Sequence, residues 1–176
     1  MSLSLNGQEL FKQIKTFLPS VKRIFVIQQK AFETIDYSPS KTLFTPSVEM
    51  IVGDNSLNTI RILGRLLDQM DSPSDVAVIV PANLQDNILY EVVKVAWDKH
   101  IALLSTSLGH LENGVLISIY PNDFLLGKQL GRLAASSVSS FQSVEDMKYA
   151  VNLRVAKHLE IDFESNSLEK FSFIIQ

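Results

Sequence analysis

The side chains whose type and spacing bear on chemistry are three histidines, a Ser-Thr-Ser run and one aspartate behind an apolar stretch. His110 follows Ser105-Thr106-Ser107 at what reads as the carboxyl end of a strand, the edge where open α/β sheets hold their ligands. A Ser–His hydrolytic pair is the sharpest chemistry this run allows. It calls for a strained nucleophile turn of the Gly-x-Ser-x-Gly kind, which the sequence lacks. His100 closes a helical segment, where a polar or positive group suits the helix carboxyl terminus. His158 follows Lys157 on a polar helical face and reads as a surface residue. Asp54 stands where a receiver-like switch carries its phosphoacceptor, but such a switch also needs acidic residues behind its first strand to hold magnesium. That strand ends in Gln28-Gln29-Lys30, and a helix cap accounts for Asp54 and Asn55 without phosphotransfer.

The motifs that supply phosphate-binding amides or metal ligands are missing as well. There is no Gly-x-x-x-x-Gly-Lys loop, no glycine-rich dinucleotide turn behind the first strand and no His-Glu-x-x-His helix. Cysteine is absent, which removes disulfides, thiolate metal sites and a cysteine nucleophile together. The expectation is therefore a protein that binds rather than catalyses, with no catalytic residue, cofactor or metal.

The elements that must position these groups follow from apolar patterning. Short apolar runs at 23–28, 48–52, 75–80, 101–104 and 115–119 read as strands, and several are apolar at consecutive positions, as when helices cover both faces of a parallel sheet. Between them lie helices. One covers Gly7 to Phe17 and ends at Pro19. The next follows the capping residues Asp54-Asn55-Ser56, with Leu57, Ile60, Leu63, Leu67 and Met70 at helical spacing. A third fits Gln85 to Lys99, with Ile88, Val92, Val95 and Ala96 inside and Glu91, Lys94 and Asp98 outside. A fourth runs from Asp123 to Ser137 behind the cap Asn122, with Leu126, Leu130 and Leu133 as its stripe. The alternation predicts a three-layer α/β/α fold around a mostly parallel sheet, as one domain over 1–176. Lys30 to Pro46 lacks helical periodicity, so part of one sheet face is expected to lie bare. Ser136 to Ser140 reads as a flexible joint, and Phe171 to Ile175 as a final edge strand.

With 46% hydrophobic and 20% charged residues, the composition is that of a globular protein. A formal net charge of -3 without a run of Lys or Arg argues against nucleic acid as a partner. No stretch reaches the roughly 18 apolar residues that cross a bilayer. The opening Met1 to Gly7 has neither the basic head nor the apolar centre of a secretion signal, which leaves a cytoplasmic protein or one whose leader lies outside this sequence.

Four ordered segments carry a family resemblance. Leu18-Pro19-Ser20-Val21-Lys22-Arg23-Ile24-Phe25-Val26-Ile27 is similar to the "leucine-proline, basic residue, apolar strand" opening of the second lobe in the ABC transporter substrate-binding family, related to amino-acid binding proteins of the type I periplasmic class. Ile79-Val80-Pro81-Ala82-Asn83 resembles the strand and proline that present a residue to that family's cleft. The passage from Asn113 to Pro121, with Leu126-Gly127-Lys128-Gln129, resembles its "strand, tyrosine, leucine-glycine-arginine-glutamine" segment. Ala150 to Leu159 resembles its closing segment.

The resemblance spans Leu18 to Ile161 and implies a solute-binding lobe, export to the periplasm and transporter membrane subunits as partners. In two respects the chain departs from the family. It shows no counterpart to the amino-terminal lobe, and a loop around Tyr37 and Pro39 stands where a helix would follow the first strand. The strand ends then nominate Gln28, Gln29, Pro81, Asn83, Ser105, Thr106, Ser107 and Tyr120 as ligand-binding residues for a small polar or aromatic solute. Gly127 and Gly131 beside Leu126, Leu130 and Leu133 set the expectation of a homodimer through that helix. A regulatory scaffold that kept the fold and lost the ligand is the alternative, and a receiver using Asp54 stands behind both.

Overall fold

In a computed structural model of the chain, which describes residues 2–29, 35–36, 47–53, 56–68, 75–136 and 141–176, the apolar runs pair side by side. In chain order the elements are β1 (Ser2–Asn6), α1 (Gly7–Phe17), β2 (Arg23–Gln29), β3 (Ile35–Asp36), β4 (Ser47–Gly53), α2 (Ser56–Asp68), β5 (Val76–Val80), α3 (Asp86–Asp98) and β6 (Ala102–Ser105). There follow β7 (Ile117–Pro121), α4 (Asp123–Ala135), β8 (Phe141–Ser143), β9 (Met147–Asn152), α5 (Leu153–His158), α6 (Ser165–Leu168) and β10 (Phe173–Ile175).

Seven strands form the main sheet, in the order β4-β2-β5-β6-β7-β9-β10. The first five are mutually parallel. Then β9 runs antiparallel to β7, and β10 lies parallel to β9 at the edge.

The strands alternate between two apolar layers. Ile24 and Val26 of β2, Ala77 and Ile79 of β5, and Ala102 and Leu104 of β6 face one core, which Leu10, Phe11, Ile14 and Phe17 of α1 and Val155 and Ala156 of α5 complete. Phe25, Ile27, Val78, Val80 and Leu103 face the other, closed by Leu63 and Leu67 of α2 and Ile88, Leu89, Val92 and Ala96 of α3. Consecutive apolar residues in one strand thus serve opposite layers, as a doubly covered sheet demands. Each fully buried Val, Leu, Ile or Phe contributes about 1.5–3 kcal/mol through the water it sheds. The fold class expected from sequence is the one observed, a mostly parallel α/β sheet between helices.

Some expectations need correction. The opening residues form a strand, and β1 with β3 and β8 makes a second, three-stranded parallel sheet, joined at Leu5↔Ile35 and Ser2↔Phe141. Those strands are too short to show a clear period in sequence. The segment before α5 is a strand as well, because Met147, Tyr149 and Val151 alternate on one face of β9. Leu130 does not belong to an inner stripe of α4: it is 45% exposed, while Gln129 and Leu133 are the residues that turn inward. The proposed caps Asp54 and Asn55, together with Met70, Tyr37, Pro39 and most of the serine joint, lie outside the described residues. At the β4 edge, Met50 is 40% exposed and Val48 only partly covered, as a thinly covered sheet face requires.

Where the chain turns from the His110 segment toward β7, Gly114 adopts φ +101°, a backbone region that side chains rarely enter. A Cβ there would stand 2.7 Å from Val93 Cγ1 of α3. We expect Gly114→Ala to cost about 2 kcal/mol, read as a lower midpoint in urea denaturation at unchanged slope, with Val93→Ala relieving part of the loss.

Candidate functional site

In the main sheet the chain builds β2, adds β4 on one side and then crosses to β5 on the other. The carboxyl ends of β2 and β5 therefore flank a reversal of strand order, the crevice where doubly wound sheets bind ligands. Gln28 and Gln29 end β2, Pro81 and Asn83 follow β5, Ser105 ends β6 with Thr106 and Ser107 behind it, and Tyr120 lies near the end of β7. These four strands are consecutive neighbours running the same way, as the pairs Val26↔Ile79, Val80↔Ser105 and Ser105↔Ser118 record. The eight nominated residues thus share one edge, and the four strands that carry them span about 14 Å.

Their roles along that edge differ. Pro81 is half-buried and Asn83 exposed. Thr106 and Ser107 are half-buried, and the Tyr120 hydroxyl lies 3.1 Å from Ser172 Oγ in front of β10. Ser105 is only 1% exposed, so it supports the edge from within rather than facing solvent. Its Oγ accepts the Ser107 N–H at 3.0 Å and stands 2.8 Å from His110 Nδ1. Ser118 Oγ donates to the Ser107 carbonyl at 2.9 Å, and Asn152 Nδ2 donates to the Leu111 carbonyl at 3.0 Å. Asn152 Oδ1 also accepts the amides of Arg154 and Val155, capping α5. Together these bonds clasp the 105–114 segment to β7 and to the end of β9.

The Ser–His pairing raised by the sequence is thus present, yet it does structural work. His110 is 6% exposed, and burial pushes its pKa below the ordinary imidazole value, a shift that the Asp86 carboxylate opposes. A hydrolytic serine needs an oxygen that substrate can reach, and this one is sealed behind its own loop. His158 is partly exposed at the surface, where its ring stacks on the exposed Trp97 with centroids 3.5 Å apart and His100 lies beside it at 4.7 Å. His100 itself adopts φ 54° as the chain leaves α3.

A cleft of about 230 Å³ opens between α1 and the β8–β9 connection, lined by Glu9, Leu10 and Gln13 of α1, Ile119 of β7, Val144-Glu145-Asp146 of the connection, and Met147 and Tyr149 of β9. None of the nominated residues lines it. Burial raises the Tyr149 pKa, and the Glu9 and Asp146 carboxylates raise it further. The sequence reading missed this cleft because its walls lie more than a hundred positions apart and meet only once β9 pairs with β7. The alternation of Met147, Tyr149 and Val151 was the signal that could have revealed it.

With this geometry the chain is similar in fold to part of several solved structures. One is a substrate binding protein with adhesive properties from Clostridium difficile in its ligand-free, open form, at 20% identity and TM-score 0.61 over 94% of this chain and 58% of that one. Another is a conserved domain protein from Vibrio cholerae, at 14% identity and TM-score 0.70 over 98% and 61%. A third is an ABC domain in complex with L-Trp from Streptococcus pneumonia, at 15% identity and TM-score 0.68 over 99% and 64%. The chain therefore spans roughly three-fifths of the length of these neighbours. No protein-family model and no curated protein matches it.

The buried imidazole gives a pH prediction. Its folded pKa lies below the unfolded value of about 6.5, so the folded state binds fewer protons over that interval. His110's contribution to stability is complete above the unfolded pKa and is lost as pH falls from there toward the folded pKa. We expect the urea midpoint to drop between pH 7.5 and 5.5, and His110→Gln to flatten that part of the profile.

Proposed function

We propose that the chain is a solute-binding module of an ABC-type transport system that holds a small polar or aromatic metabolite at the strand carboxyl edge without chemistry. The observation that carries this reading is the gathering of Gln28, Gln29, Pro81, Asn83, Thr106, Ser107 and Tyr120 along four adjacent strand ends beside the reversal of strand order. The likeness in fold to a substrate binding protein and to an L-Trp complex supports it. Ser105 enters the proposal as the residue that fixes the loop bearing Thr106 and Ser107. Work in the periplasm beside transporter membrane subunits belongs to the same proposal.

A ligand that prefers the native state raises the melting temperature, by an amount that grows with the logarithm of its concentration above Kd. A thermal-shift screen over amino acids, aromatic metabolites and sugars should therefore yield a stabilising solute, and Asn83→Ala should weaken it by about tenfold, the loss of one good hydrogen bond. A screen that yields no stabilising solute would favour the scaffold reading.

We further propose self-association through α4. Phe124 is 68% exposed with Lys128 Nζ 4.4 Å over its ring, and Leu125 and Leu130 lie exposed on the same helix. Light scattering at tens of micromolar protein should give the mass of a dimer, and Leu130→Asp should return it to monomer.

A further inference from the structure

We propose that the cleft between α1 and the β8–β9 connection is a binding site for a small primary amine, a cation carrying a short apolar body. This rests on the solute-binding reading and adds to it a second place and a substrate class. At about 230 Å³ the cleft falls below the 300–1,000 Å³ usual for drug-sized ligands, which sets the scale of the occupant. Leu10, Ile119, Val144 and Met147 supply an apolar lining against which a hydrocarbon or ring can rest. Every charged side chain that lines the cleft is acidic: Glu9 from α1, and Glu145 and Asp146 from the connection. Gln13 and Tyr149 add polar groups beside them.

The neighbouring cations offset this charge only in part. Lys12 lies 3.9 Å from Glu9 and Arg132 pairs with Glu145, but both cations are mostly exposed, at 74% and 65%, and neither lines the cavity. Glu9 and Glu145 are themselves 49% and 59% exposed, so solvent screens carboxylates and cations alike, and what remains is the excess of three lining carboxylates over two neighbouring cations. The Tyr149 phenol lies between these walls, and its pKa is raised first by burial and then by the Glu9 and Asp146 carboxylates. Asn122 Nδ2 donates to Asp146 Oδ2 at 2.9 Å, and Gln13 Nε2 donates to Glu9 Oε1 at 2.7 Å, which holds both carboxylates in place. A metal ion fits less well, because among the described residues no three acidic or histidine side chains converge closely enough to ligate one. An ammonium group asks only for acceptors spread around it, and a carboxylate-bordered cleft with an apolar lining provides them.

The test titrates three isosteric probes into the full chain by calorimetry: phenethylamine as the cation, 2-phenylethanol as the neutral form and 3-phenylpropionate as the anion. The amine should bind, more weakly as salt is added, with the alcohol about tenfold weaker and the anion showing no heat. The double variant Glu9→Gln, Glu145→Gln should reduce amine affinity by about tenfold, Asp146→Asn should act in the same direction, and Glu91→Gln on the outer face of α3 should change nothing. Far-UV circular dichroism checks that each variant keeps its fold. Equal affinity for amine and alcohol overturns the cationic selection, and amine binding untouched by both acidic variants overturns the location. Solutes that stabilise the protein while phenethylamine does not bind would overturn this inference and leave the solute-binding reading standing. If neither the probes nor any screened solute binds, both fall.

Discussion

The constraint on which this structure depends is that a parallel sheet must be buried on both faces. Where helices cover a parallel sheet, each strand has apolar neighbours above and below and must be apolar at successive positions. Val76 to Val80 is the clearest case: five buried residues in a row divide between the α1 layer and the α2–α3 layer. A polar group along such a strand must find a partner, as the buried Ser118 of β7 does in the Ser107 carbonyl. Most polar groups collect where it ends, and the nominated side chains accordingly lie in the last residues of the strands or just beyond them.

That placement explains the difference between Ser105 and its neighbours. Ser105 is the last residue of β6 and still lies in the buried layer, where an unpaired hydroxyl would cost about 1–3 kcal/mol. It meets the requirement with the Ser107 amide and His110, and among the described residues no buried side-chain polar atom lacks a partner. A polar residue at the very end of the strand thus becomes part of the scaffold, while Thr106 and Ser107, just past it, retain access to solvent.

Much of the fold was legible in the sequence, because burial writes a period into it. The bounds of α1 match the residues expected from its spacing, α3 lies within one residue of its expected ends, and the edge strand near the carboxyl terminus pairs as expected. What escaped notice depends on partners far away in sequence. The three residues of β8 and the two of β3 are strands only because β1 lies between them. On α4, Gln129 turns inward because its side chain bonds the Ser143 carbonyl and the Glu145 amide, a pairing that no helical period announces. The same holds for the candidate sites: strand-end residues could be named from local pattern, but the acidic cleft could not.

The cleft exists because of the one reversal in the sheet. After β7 the chain leaves through α4 and β8 and returns as β9, antiparallel, with Pro121 opposite Met147. A parallel return would have put the start of β9 at the far edge of the sheet. The antiparallel return instead brings the residues just before β9, Glu145 and Asp146, to the carboxyl edge of β7, where α1 presents Glu9 and Gln13. The direction of a single strand thus decides which charges meet, and it turns two acidic residues of a connection into walls of a cavity on the edge that also carries the polar strand ends.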